Sequence, residues 1–152
     1  MLFFIAVGVA AETPNFSGIW NMDAAQSDFG PQEPPQSSEY VIRHVGSKLS
    51  FNYSQDGKTT RVDITPDNEE RITSSTEEFN TWTRAHWSGR MLILESRERR
   101  KSGTQAATGA GWTSCWTLSA DRNTLTIERT VRSGAYEAKQ KIVYLRQPIP
   151  AK

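Results

Sequence analysis

The feature that most constrains the fold of this chain is a turn signal whose pairing arithmetic places apolar residues opposite each other. Asp56-Gly57 favours a two-residue type I′ turn between two short runs of alternating apolar and polar residues. Pairing outward from this turn sets Leu49 against Ile64, Phe51 against Val62, and Tyr53 against Thr60. The hairpin is therefore predicted to have one apolar face.

A second turn signal, Ser133-Gly134, predicts another hairpin of the same kind. Its predicted pairs are Leu125 with Ile142, Ile127 with Gln140, and Arg129 with Ala138. Side chains alternate between the two faces of a strand, so Arg129 shares the apolar face with Leu125 and Ile127. An arginine on an apolar face is the most informative polar residue in the chain.

The rest of the chain also divides into short strands, and no stretch shows sustained helical periodicity. A long connection over 23–39 contains Pro31, Pro34 and Pro35, which leave room only for a short helical turn over 23–27. A tip of small residues covers 101–111. The predicted strands are 18–22, 40–45, 48–55, 58–65, 70–74, 78–87, 91–99, 112–118, 124–132 and 136–145. Short turns between consecutive strands predict an all-β fold, an up-and-down antiparallel β-barrel of about eight to ten strands.

Charge narrows the classes of partner. The 152 residues form one predicted domain with a formal net charge of +1, too little to attract nucleic acid or an anionic membrane. A membrane barrel would need an apolar outer band, yet charged residues alternate with the apolar row. These are Lys58, Arg61, Asp63, Glu128, Lys139 and Lys141. We therefore expect a soluble barrel with no integral membrane span.

The N-terminus has the pattern of an export signal. Residues 2–10 form an apolar run of the length of a signal-peptide core, and the small residues 9–11 suit cleavage before Glu12. No basic residue precedes the run, so the signal is expected to be truncated; a first strand or a buried segment is the alternative. The expected organisation is a signal peptide at 1–11 and one barrel domain at 12–152, secreted or periplasmic.

Several short motifs stand out along the predicted strands and their connections. The first is Gly18-Ile19-Trp20, a Gly-x-Trp on the first predicted strand. The others are Ser27-Asp28-Phe29-Gly30, Trp87-Ser88-Gly89 before Leu92-Ile93-Leu94, and Leu118-Ser119-Ala120-Asp121 before Leu125-Thr126-Ile127-Glu128. The Gly-x-Trp resembles the lipocalin signature, and the longer pattern, which covers nearly all of 12–152, resembles a group of secreted lipocalin-like bacterial proteins. The resemblance implies a ligand-binding barrel and an arginine, here Arg146, over the tryptophan of the signature.

The strand pairing selects the residues that face the barrel interior. The predicted ligand-binding set is Arg129, Gln140, Tyr144, Trp116, Trp112, Tyr53 and Phe51. Aromatic walls with one guanidinium suit a small hydrophobic or amphipathic ligand that carries a carboxylate. The alternative is a filled barrel, a structural or interaction module of the cell envelope, in which Arg129 reaches water or pairs with a glutamate such as Glu95. A cavity of a few hundred Å³ would favour ligand binding.

The residues that most often carry catalysis have no suitable neighbours in the sequence. His44 and His86 lack metal-ligand spacing and are expected to be structural or surface residues. Cys115 is expected on the outer face with no base in reach, and as the only cysteine it excludes an intrachain disulfide and a cysteine metal cluster. We therefore predict no catalytic residues, no metal and no cofactor. An enzyme is the third alternative, which would require His44 or His86 to approach a carboxylate in the cavity.

Overall fold

The computed structural model describes residues 12–102 and 108–150. Within these residues it contains ten strands and one short 3₁₀ helix, Ala24–Gln26. The strands are β1 Gly18–Met22, β2 Ser38–Val45, β3 Lys48–Gln55, β4 Lys58–Ile64, β5 Glu70–Ser75, β6 Phe79–Ser88, β7 Met91–Arg100, β8 Thr108–Leu118, β9 Thr124–Ser133 and β10 Tyr136–Arg146. The expected signal at 1–11 and residues 103–107 of the tip lie outside the described residues.

All ten strands form one antiparallel sheet in the order β4-β3-β2-β1-β10-β9-β8-β7-β6-β5. Consecutive strands are neighbours throughout, and the pairing of β1 with β10 joins the two halves. The sheet closes into a barrel except between β4 and β5, its two ends, which form no ladder within the described chain. The predicted up-and-down barrel is confirmed, at the upper end of the expected strand number.

The first hairpin has the predicted register, and the second is shifted by two residues. Asp56 and Gly57 both have positive φ, as a type I′ turn requires, and Phe51 pairs with Val62. In the second hairpin the turn residues are Gly134-Ala135, so Ser133 pairs with Tyr136. The predicted pairs were wrong: Gln140 lies opposite Arg129, Ile142 opposite Ile127, and Tyr144 opposite Leu125. Only Gly134 has positive φ there, which suits the first central position of a type II′ turn.

One end of the barrel is closed by Phe16 and Trp20, both fully buried. The Trp20 indole Nε1 donates a hydrogen bond to the Phe16 carbonyl oxygen at 2.9 Å. Phe16 N–H in turn donates to His44 Nδ1 at 3.3 Å, and its ring stacks on Trp87. The aromatic plug closes this end without leaving the indole N–H unpaired.

The connection between β1 and β2 is fastened to β10. Asp28 exchanges two backbone hydrogen bonds with Lys141, and the Ser27 hydroxyl accepts one from Val143 N–H. Asp23 caps the 3₁₀ helix by accepting from Ala25 and Gln26 N–H groups, as expected for a short helical turn there. This connection therefore covers the strand end at which Gln140 lies.

The outer face carries the charges that the sequence places there. All six charged residues used to exclude a lipid-facing band are exposed: Lys58, Arg61, Asp63, Glu128, Lys139 and Lys141. Cys115 pairs with Glu128 and Ile93 on this outer face, as predicted, and burial together with Glu128 raises the pKa of its thiol. No helix in the described part of the chain is long and apolar enough to cross a bilayer.

Candidate functional site

The barrel interior contains a cavity of about 270 Å³ between the closed end and the β1–β2 connection. Strands from both sides of the β4–β5 gap line it, together with β8, β9 and β10. Its lining residues are Tyr40, Phe51, Tyr53, Thr60, Val62, Ile64, Thr73, Ser74, Thr81, Thr83, Leu94, Ser96, Trp112, Ser114, Trp116, Ile127, Arg129, Ile142 and Tyr144.

Aromatic rings form one wall of this cavity. Tyr40 is at the centre of the group, with its ring centroid 4.6 Å from that of Tyr53 and 5.2 Å from that of Trp116. Phe51 packs on both Tyr40 and Trp116. Burial is the main cause that raises the pKa of Tyr40 well above its usual value, so the phenol stays neutral at ordinary pH. The wall is aromatic and uncharged.

Arg129 is the cationic side chain among the residues that line the cavity. Its guanidinium carbon lies 5.2 Å from the centroid of the Trp112 ring, a cation–π arrangement. Arg129 Nε is buried and has no hydrogen-bond partner among the described residues, and no described carboxylate forms a salt bridge with this guanidinium. A half-buried cation without an anion is the feature of the interior that most needs a partner.

A hydroxyl chain forms the wall on β5, β6 and β7. The Thr73 and Thr83 hydroxyls lie 2.8 Å apart, and the Thr83 and Ser96 hydroxyls lie 2.9 Å apart. Thr83 and Ser96 are both buried. The cavity therefore has two chemically different walls.

Six of the seven sequence-predicted site residues line the cavity: Arg129, Tyr144, Trp116, Trp112, Tyr53 and Phe51. Tyr144 is almost fully buried, and its hydroxyl lies 2.9 Å from the Ser38 hydroxyl. Trp116 Nε1 is a second buried donor that has no partner among the described residues.

Gln140, the seventh, does not line this cavity. Its Nε2 donates to the Phe29 carbonyl oxygen at 3.3 Å and to Gln32 Oε1 at 2.9 Å, so the amide holds the β1–β2 connection. It lines a smaller space of about 110 Å³ beneath that connection, which Arg129 also borders. The prediction placed Gln140 on the correct face of β10. Its amide is not available to the cavity, however, because it is hydrogen-bonded to the β1–β2 connection.

Arg129 does not form a salt bridge with Glu95, which was one of the alternatives drawn from the sequence. Glu95 is exposed and lies opposite Arg84 and Thr113 on the outer face. The reason is strand parity, because Leu94 and Ser96 are the β7 residues that face inward.

Sequence reasoning missed Tyr40 and the hydroxyl chain. The sequence places Tyr40 in a predicted strand, but neither of the two turn signals predicts which residues pair with that strand or which face Tyr40 occupies. Thr83 and Ser96 lie directly opposite each other in the β6–β7 hairpin. Pairing across Gly89-Arg90, which the structure forms as a two-residue turn between Ser88 and Met91, would have identified them.

Neither histidine lines the cavity. His44 lies in the closed end against Phe16 and Trp87, where burial lowers its pKa. His86 is on β6 opposite Ile93, with the outward parity of Arg84. The arrangement that would have indicated an enzyme, a histidine beside a carboxylate in the cavity, is therefore not formed by these two residues. Among the described residues no group of three or more potential metal ligands comes together.

The fold is similar to those of solved lipid-carrier barrels. The fatty acid transporter REP1-NXSQ superposes with a TM-score of 0.62 at 14% identity, covering 89% of this chain and 98% of that one. A fatty acid-binding protein from Drosophila melanogaster brain gives 0.59 at 14% identity, with 86% and 99% coverage. Zebrafish ileal bile acid-binding protein in complex with cholic acid gives 0.61 at 10% identity, with 87% and 98% coverage.

These likenesses establish the fold, a barrel of the lipocalin and fatty-acid-binding-protein type. No protein-family model matches the sequence, and no curated protein matches it.

Proposed function

We propose that the barrel binds a small amphipathic molecule, with its apolar body in the cavity and an anionic head group on Arg129. The observation that carries this proposal is the unpaired, half-buried guanidinium in a cavity with an aromatic wall. A carboxylate would neutralise the charge of the guanidinium and accept charge-assisted hydrogen bonds from it, which are roughly twice as strong as bonds between neutral groups.

The size of the cavity supports a small ligand over a filled barrel. Small-molecule sites usually measure about 300–1,000 Å³, and the cavity of about 270 Å³ lies just below that range. It suits one short chain or one compact ring system. The named neighbours bind or transport fatty acids or bile acids, which is the ligand class that this chemistry also favours.

Binding without catalysis is part of the proposal. The cavity brings together an arginine, phenols, hydroxyls and indoles, but no described histidine or carboxylate lines it. With the apolar run at 2–10, we further propose that the protein acts as a binder in a secreted or periplasmic setting.

The test compares decanoate with decanol, which share a tail and differ in the head group. Calorimetry on the full chain should show that decanoate binds about tenfold to a hundredfold more tightly, because hydrogen bonds to charged groups are worth more than neutral ones. Arg129→Ala should abolish the preference. Arg132→Ala is the matched control, because Arg132 is on the same strand, exposed, and paired with Glu137.

Quenching or a shift of tryptophan fluorescence gives a second readout, since Trp112 and Trp116 line the cavity. The proposal would be rejected if neither decanoate nor decanol bound. It would also be rejected if Arg129→Ala preferred decanoate over decanol as strongly as the wild type does. Failure to bind would favour the filled-barrel interaction module.

A further inference from the structure

We infer that the ligand is an oxygenated amphiphile, an acid whose apolar body carries a hydroxyl or carbonyl oxygen that bonds the hydroxyl chain Thr73-Thr83-Ser96. This inference deepens the proposed function and rests on it. It concerns the wall of the cavity on β5, β6 and β7, which β8 separates in the sheet from Arg129 on β9.

Donor arithmetic shows where the chain is open. Three hydroxyls have three hydrogens, and the two bonds between them use two. In one polarity Thr73 donates to the Thr81 carbonyl oxygen, a long contact of 3.5 Å, and Ser96 is left as a free acceptor. In the other polarity Thr73 donates to Thr83, Thr83 donates to Ser96, and the Ser96 hydrogen is free. In a third arrangement Thr73 and Ser96 both donate to Thr83, and the Ser96 oxygen is again a free acceptor. Ser96 keeps hydrogen-bonding capacity in all three cases.

The open end faces the ligand space. Ser96 lines the cavity, is buried, and has no side-chain hydrogen bond other than that to Thr83 among the described residues. A ligand hydroxyl can bond it in either polarity, and a carbonyl oxygen can accept its hydrogen. A saturated tail in contact with this wall would leave the remaining hydrogen-bonding capacity of Ser96 unused.

A second donor points to the same ligand class. Trp116 is almost fully buried, lines the cavity, and has no partner for Nε1 among the described residues. A purely aliphatic body offers no acceptor to either side chain. A site built to hydrogen-bond an oxygen discriminates strongly against the analogue that lacks it.

The position of Ser96 sets the spacing of the two polar groups of the ligand. In the sheet, β9 carries Arg129, β7 carries Ser96, and β8 lies between them. Two strand spacings separate the backbones by roughly 10 Å. The two polar groups of the ligand are therefore attached at different points of one short acid.

The experiment measures the affinity of the full chain for decanoate and for 10-hydroxydecanoate. Wild type should bind the hydroxylated acid about threefold to tenfold more tightly, the worth of a neutral hydrogen bond. Ser96→Ala should lose that preference while still binding decanoate. Thr60→Val is the matched control, because Thr60 lines the cavity outside the hydroxyl chain and its variant should keep the preference.

The outcomes separate the two proposals. Equal affinity of wild type for the two acids, or a preference that persists in Ser96→Ala, overturns the oxygenated ligand and leaves the Arg129 site intact. Absence of binding by either acid overturns both.

Discussion

The guanidinium carbon of Arg146 lies 4.3 Å from the centroid of the Trp20 ring, and the two residues face each other across β1 and β10. Arg146 Nη1 also donates to the Ser17 carbonyl oxygen at 2.7 Å, and its Nε donates to the Arg122 carbonyl oxygen. This arrangement confirms the expectation drawn from the lipocalin resemblance. It binds the closed end of the barrel to the last strand.

Gly18→Ala should destabilise the protein by more than about 1 kcal/mol, since replacing a glycine of positive φ usually costs at least that much. Gly18 has φ +148°, and a Cβ there would lie 2.6 Å from Arg146 Nη1. Urea unfolding followed by tryptophan fluorescence measures the change in the free energy of unfolding.

Gly89→Ala is the control for this substitution. Gly89 has φ +60°, and the space around its Cβ position is open. The loss of stability in Gly89→Ala therefore comes from backbone strain and not from a steric contact. A loss no larger in Gly18→Ala than in Gly89→Ala would contradict a role for the Arg146 contact.

The stability of the protein should fall as pH drops from about 7 to 5, through His44. Burial lowers the pKa of His44 in the folded state, so the unfolded chain takes up a proton first. Stability is therefore complete above the unfolded value of about 6.5 and decreases below it. Thermal unfolding at several pH values gives the slope.

His44→Asn tests the assignment, because an amide oxygen can still accept from Phe16 N–H but does not titrate in this range. The variant should be less stable at pH 7 and should show a flatter pH profile. A slope that survives in His44→Asn would assign the pH dependence to other groups.

Tyr144→Phe should cost about 1–3 kcal/mol, because it leaves the buried Ser38 hydroxyl without its partner. The double variant with Ser38→Ala should recover part of that loss in a double-mutant cycle. Tyr53→Phe is the matched control, since the Tyr53 hydroxyl bonds Gln55 in an exposed position. Chemical unfolding measures the free energy of unfolding of the wild type, Tyr144→Phe, Ser38→Ala and the double variant. If the losses of the two single variants added up to that of the double variant, the coupling would be refuted.

Gln140→Ala should loosen the β1–β2 connection without unfolding the barrel. The substitution removes the bonds to Phe29 and Gln32 but leaves the backbone pairing of Asp28 with Lys141. Hydrogen exchange should accelerate over 29–37 and stay unchanged in β9. Lys139→Ala, an exposed change on the same strand, should leave both regions as they are. Uniform acceleration across the barrel would show that Gln140 supports the whole fold instead.

Turn chemistry explains how far the strand pairing could be predicted. Asp56-Gly57 specifies both central residues of a turn, and its register was correct. Ser133-Gly134 left the position of the glycine within the turn open, and the register moved by two residues. A shift of two keeps every side chain on its face, so the inward position of Arg129 was still predicted correctly.

Gln140 shows why the site could be predicted only in part. Its inward parity follows from alternation along β10, whereas the use of its amide depends on residues more than a hundred positions earlier in the chain. The separation of Glu95 from Arg129 likewise follows from pairing across β7, β8 and β9. Contacts of this range have no local signal in the sequence.

The sequence by itself determined the all-β class, the presence of the hairpins and the faces on which Arg129, Gln140 and Cys115 lie, because turn preference and alternation are local properties of the backbone. The tertiary structure alone decided that a space remains beside Arg129. That space depends on the summed side-chain volume of ten strands, on the gap between β4 and β5, and on the connection that covers Gln140. An unfilled volume is a property of the whole closed barrel, and no single segment encodes it.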